Sequence, residues 1–139
     1  MNTNTVENIQ YIVYTQSVGL NLENAEIEWM GNSKEVLSSW PDEIKTTLGF
    51  ELRKVQRGEI PKDSKHLPGI GEGVRELREA DAAIWYRIAY LPRKGKVVYV
   101  LHAFQKQGAK TPKDAVRTIL QRLKDARRMM QQKNEKERL

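Results

Sequence analysis

Cysteine is absent from this 139-residue chain, which excludes disulfides, thiolate metal sites and a cysteine nucleophile. Histidine is nearly as scarce. His66 and His102 stand alone, and neither has a partner at metal-ligand spacing. No G-x-S-x-G elbow marks a serine nucleophile, and no feature points to a cofactor. No run approaches the roughly eighteen consecutive apolar residues a membrane helix needs. The opening "MNTNTVENIQ" lacks the basic and then apolar order of a secretory signal, so the reading favours the cytoplasm. Acidic residues are sparse toward the C-terminus: residues 1–50 carry −5, residues 51–105 carry +4 and residues 106–139 carry +7. A gradient of that kind suits a polyanionic partner bound through the C-terminal half.

What is present is enough for one domain with a modest core, at 39% hydrophobic residues. "AEIEWM" (25–30) alternates acidic and apolar residues as a half-buried strand does. Two short helices follow. Ser33 serves as N-cap of the first; the second has Pro41 in its first turn, Ile44, Leu48, Leu52 and Val55 at helical spacing, and Gly58 as its stop. Residues 59–73 hold two prolines and three glycines and read as loop. Three strands are expected at 74–79, 82–92 and 96–106, joined by "AD" and "RKG" as an antiparallel meander. "TPKDAVRTILQRLKDARRMMQQK" reads as a helix with a Thr111 to Asp114 capping box. Its apolar stripe is Val116, Ile119, Leu120, Leu123, Ala126 and Met130, and the last residues look frayed. The expected fold is a small α+β domain over 25–139 with an antiparallel sheet and helices on one side or at its edges. Residues 1–24 form an N-terminal extension whose role the sequence leaves open.

Cations within apolar strands are the informative feature. Arg87 stands between "IWY" and "IAY", where a charge needs water, a carboxylate or a ligand. It either pairs with Glu76 or Glu79 on the neighbouring strand or belongs to a phosphate site with Arg75, Arg78, Lys106 and Lys110. His102 is either a satisfied half-buried imidazole or an acid/base group.

"LPGIGEGVRELRE", "YRIAY" and "KVVYVLHAFQKQGAKTP" together resemble the phage-derived, HigB-like branch of the RelE/ParE toxin superfamily, over roughly residues 25 to 130. The resemblance implies a RelE-like fold and the toxin of a type II toxin–antitoxin pair. Its activity would be ribosome-dependent, metal-independent cleavage of mRNA, restrained by a helix-turn-helix antitoxin. The alternatives are a ParE-like, non-catalytic inhibitor of DNA gyrase, or a decayed phage-derived protein that binds RNA or antitoxin without cutting. Motif by motif, "ELR" implies Arg78, "YR" implies Arg87, and "HAFQK" implies His102 and Lys106 as catalytic. Arg75, Lys110, Lys113 and Arg117 would bind RNA. Two departures weigh against an efficient nuclease. Gln107 replaces the second lysine of the family pattern, and Glu76 stands where RelE has a lysine.

Overall fold

The acidic–apolar alternation of Glu26–Trp29 forms a four-residue strand, β1. It lies in a computed structural model that describes residues 24–138 apart from Pro68 and Ala109. Most of the N-terminal extension therefore lies outside the described residues. After β1 come the short helix α1 (Ser33–Ser38) and the longer α2 (Asp42–Gln56). Ser33 is the first helical residue rather than the cap; it is buried, and its hydroxyl donates to the Val100 carbonyl at 3.5 Å. On α2, Ile44, Leu48, Leu52 and Val55 are all buried, as their spacing requires. Then follow β2 (Ser64–His66), β3 (Arg75–Asp81), β4 (Ile84–Lys94), β5 (Val97–Lys106) and the C-terminal helix α3 (Lys113–Arg138).

The sheet has five strands in the order β1-β5-β4-β3-β2. It is mixed, not antiparallel: β1 runs parallel to β5, since α1 and α2 carry the chain across between them. The edge strand β2 falls in the segment expected to be loop. Three residues between prolines and glycines give too short a pattern to show a period, and β2 exists because β3 offers it a ladder. The helices do not share one side either. Trp40 and the apolar face of α2 pack with Leu77, Tyr86, Ile88, Val98, Val100 and Ala103 on one face. On the other, Ala115, Ile119, Leu123 and Ala126 of α3 pack against Ala89, Leu91, Tyr99, Leu101 and Phe104. Two details of α3 differ from expectation. Leu120 is 44% exposed and lies off the stripe, and the helix continues through residues expected to fray.

Register decides which side chains meet. The β3–β4 turn lies at Ala82 and Ala83, with Asp81 opposite Ile84, two residues beyond the expected "AD". A turn at "AD" would set Val74 opposite Arg87; the actual turn sets Arg78 there. Strand β5 adds a second adjustment. Ala89 pairs with His102 but Tyr90 pairs with Val100, so Leu101 is an extra residue, a β-bulge. Before it, Val97, Tyr99 and Leu101 face α3; after it Phe104 faces α3 and Ala103 faces α2. The bulge thus inverts the alternation of the strand and aims Lys106 at the α3 side, beside Trp85.

Ala82 is the one described non-glycine residue at positive φ, +52°. An L side chain is strained there by about 1–2 kcal/mol, whereas glycine adopts the region freely at some entropic cost. Ala82→Gly is therefore expected to raise stability by about 0.5–1 kcal/mol. Urea midpoints of the two proteins measure this; a lower midpoint would show that the turn is not strained.

Candidate functional site

Strand alternation places Glu76 and Arg78 of β3 on the α3-facing side, and the pairing of Arg78 with Arg87 and of Trp85 with Lys106 extends that row across three strands. Beyond the start of α3 none of the described elements covers the face, and a cavity of about 600 Å³ opens there. Arg78, Arg87, Lys106 and Lys110 line it with Glu76, and Lys65 and His66 enter from β2. Leu67, Ile70 and Val116 supply an apolar wall, and Thr111 closes the end next to α3. The short basic connection after β5 is thus one rim of a cleft.

At its centre Arg87 and Glu76 form a buried ion pair, with Arg87 Nη1 donating to Glu76 Oε1. Their side chains are 6% and 2% exposed. Of the two partners the sequence left open, Glu76 is the one the register supplies. Glu79 is paired opposite Tyr86, on the other face. Among the described residues, Glu76 Oε2 and Arg87 Nε, both buried, find no hydrogen-bond partner. Arg78 is held by Asp63 at 2.9 Å. Both guanidinium groups lie over the Trp85 ring, at 5.5 Å for Arg78 and 5.3 Å for Arg87. The electron-rich ring face and the two carboxylates let two arginines sit side by side.

Lys106 is 6% exposed, and its ammonium lies 3.5 Å from the Thr111 hydroxyl. Burial lowers its pKa, and the charges of Arg87, Arg78 and Lys65 push the same way against the opposing pull of Glu76. A lysine so placed releases its proton more readily than one in water.

The remaining residues expected to act lie elsewhere. His102 is four residues from Lys106 along β5, about 13 Å at strand rise. It stacks on Phe104 with ring centroids 5.1 Å apart. Arg122 of α3 donates to the His102 Nδ1 at 3.2 Å, to the Leu101 carbonyl at 2.9 Å and to Asn32 Oδ1 at 2.9 Å. This clasp joins α3, β5 and the turn before α1, and it needs Gly31. A Cβ at Gly31 would stand 2.4 Å from Arg122 Nη2. Desolvation, with the Arg122 charge second, lowers the His102 pKa to about 4, so the ring is neutral at ordinary pH. Arg75 points to the α2 side. It donates to the Ser64 hydroxyl at 2.9 Å and the Ser64 carbonyl at 3.1 Å, and the same hydroxyl bonds Tyr90. Lys113 and Arg117 are exposed on α3 outside the cleft, and Arg117 pairs with Asp114 at 3.1 Å.

Of the residues singled out from the sequence, the structure brings Arg78, Arg87, Lys106 and Lys110 to one cavity. It does not bring His102, Arg75, Lys113 or Arg117 there. Sequence reasoning misses Lys65, His66 and Thr111, and it treats Glu76 only as an ion-pair partner or a departure. The signal for Glu76 was parity: it stands two residues from Arg78, on the same face.

Among the described residues no group of three or more His, Asp or Glu side chains is arranged to hold a metal, and no helix is long and apolar enough to cross a membrane. A search of curated proteins found no match. The family model described as "Phage derived protein Gp49-like (DUF891)" matches residues 35–124. That span, 90 of 139 residues, runs from α1 into α3 and includes every cleft residue named above. This chain belongs to the phage-derived Gp49-like family.

Proposed function

We propose that this protein is the toxin of a type II toxin–antitoxin pair, of HigB-like type, and that it cleaves mRNA on the ribosome without a metal ion. The observation that carries the reading is the cleft. Arg78, Arg87, Lys106, Lys110 and Lys65 converge from four strands and a loop on one concavity. Cleavage by the ribose 2′-hydroxyl builds up negative charge on a pentacoordinate phosphorus. Arginine suits that charge because it stays protonated and forks onto two phosphate oxygens. Arg78 and Arg87 take that part. Lys106, with its weakened hold on a proton, delivers one to the departing 5′-oxygen. Lys110 and Lys65 hold the flanking backbone.

Membership in a phage-derived family agrees with a toxin role at a coarse level. The partner that restrains such a toxin is a small helix-turn-helix antitoxin. Covering the cleft or the basic outer face of α3 with acidic residues would neutralise it, and Lys113 and Arg117 lie on that outer face.

Inducible expression in bacteria, followed by mapping of mRNA 5′ ends, tests the proposal. The expected result is growth arrest with new ends inside translated regions. Arrest without new ends, accompanied by gyrase-dependent DNA breaks, would overturn the nuclease reading in favour of ParE-like inhibition. Absence of arrest would point to a protein that binds without cutting.

A further inference from the structure

Arg78 is held in a way that leaves its outer end open. Its Nε donates to Asp63 Oδ1 at 2.9 Å, and among the described residues Nη1 and Nη2 make no hydrogen bond. The face of its guanidinium lies over the Trp85 ring, 5.5 Å from the centroid. One edge of the group is thus fixed by a carboxylate and its position by an indole. The terminal fork, whose spacing matches two phosphate oxygens, stays unengaged in a residue that lines the cleft. Arg87 differs, because Glu76 takes up its Nη1 and its side chain is 6% exposed, against 22% for Arg78.

Asp63 lies in the turn before β2 with its side chain 46% exposed, where an aspartate ordinarily holds a partner loosely. Its neighbours are what fix it. The Lys62 amide donates to Glu51 Oε2 of α2 at 2.8 Å. The Ser64 hydroxyl bonds the Tyr90 hydroxyl at 2.7 Å and accepts from Arg75 Nε at 2.9 Å, both on the α2 side of the sheet. Alternation along the chain turns the residues on either side of Ser64, Asp63 and Lys65, toward the cleft. A residue between two pinned neighbours has little backbone freedom, so its carboxylate reaches Arg78 from a rigid mount.

Resting on the nuclease reading above, we propose that Asp63 is a positioning residue for Arg78, turning its guanidinium so that the terminal fork meets the phosphate being cut. Asp63 touches neither the RNA nor the reacting atoms; its effect passes through the contact with Nε. The Ser64, Tyr90 and Arg75 contacts behind the sheet are the mount of that carboxylate, which gives Arg75 a part in the site without contact with RNA. A carboxylate beside an arginine can also act the other way, by holding it back from phosphate. Two features favour positioning. The bond uses Nε rather than the fork, and Trp85 supports the guanidinium independently, so phosphate can bind without displacing Asp63.

The test is single-turnover cleavage of a short mRNA in the A site of programmed ribosomes, with ribosome affinity measured separately. Asp63→Ala is expected to slow the cleavage step about 10–100-fold with affinity unchanged, the loss that follows from misplacing a group by about 1 Å or less. Asp63→Asn keeps an oxygen for Nε without the charge and is expected to stay within about threefold of wild type. In an Arg78→Ala background, Asp63→Ala should change the rate by less than about threefold, since the residue it acts through is gone. An equal loss in both backgrounds would overturn the proposal, by tracing the effect to folding or to another residue. A faster Asp63→Ala protein would overturn it as well, since the carboxylate would then be a brake on Arg78. So would an Asp63→Ala protein as fast as wild type, or an Asp63→Asn protein as slow as Asp63→Ala, which would assign the effect to charge rather than aim. In all of these cases a wild type that cuts leaves the nuclease reading standing. A wild type that cuts nothing ends both.

Discussion

Arg87→Ala is expected to destabilise the protein by about 3 kcal/mol, the lower end of the range for breaking a buried ion pair. The loss comes from what remains. Glu76, 2% exposed, would lose the donor to Oε1, and Oε2 has none among the described residues. The figure sits at the lower end because the ammonium of Lys106 shares the field of Glu76 and offsets part of the charge. Replacing both partners by apolar residues, Glu76→Leu with Arg87→Met, removes the charge as well as the pair and is expected to recover most of the loss. Urea unfolding of wild type, Glu76→Leu, Arg87→Met and their double variant closes the cycle, with Arg87→Ala measured beside them. A midpoint for Arg87→Ala equal to that of wild type would show that the pair does not hold the fold. The double variant also separates stability from the proposed nuclease function, since on that proposal it should fold and yet fail to cleave RNA. Toxicity of Arg87→Ala alone cannot make that separation.

Acidification is expected to weaken the fold through His102. The sign follows from which state holds the proton. In the unfolded chain the imidazole takes one near pH 6.5, whereas in the folded protein burial and the neighbouring Arg122 charge delay this to about pH 4. Between those values the unfolded state binds more protons, so stability falls as pH drops through this window and this contribution levels off below it. From pH 7 to pH 5 the loss assigned to this one group is about 2 kcal/mol. His102→Gln keeps an acceptor for Arg122 and cannot titrate, so its stability should change less over the same interval by that amount. Equal losses in wild type and variant would move the linkage to another group.

The helices and the three long strands were legible because each is long enough for its period to show. Ile44, Leu48, Leu52 and Val55 state a helix, and the strand pattern of 82–106 needs no partner to be read. The cleft was half legible. "ELR" and "YR" place arginines on strands, but whether Arg78 faces Arg87 depends on where the hairpin turns. Here the turn uses two alanines, which carry no turn signal. His102 illustrates the opposite failure. Its neighbours in sequence resemble a catalytic motif, and its function in the fold is set by Arg122, twenty residues away on another element. Glu76 had its partner in view, yet sequence does not show that one of its oxygens is left without a donor.

The extra residue at Leu101 gives β5 a change of phase, and phase is inherited differently from side-chain identity. Point substitutions can replace Lys106 but cannot turn it over. Deleting one codon at the bulge would rotate Phe104 and Lys106 to the α2 side and bring Ala103 to the α3 side, with every flanking letter of the motif intact. Deleting two codons would restore the phase and merely shorten the strand. In a lineage of such proteins, gain or loss of the cationic concavity can therefore occur in a single length change that composition and motif matching both overlook. Relatives that keep "HAFQK" but differ by one residue upstream of it should be sorted by strand length before any shared chemistry is assigned to them.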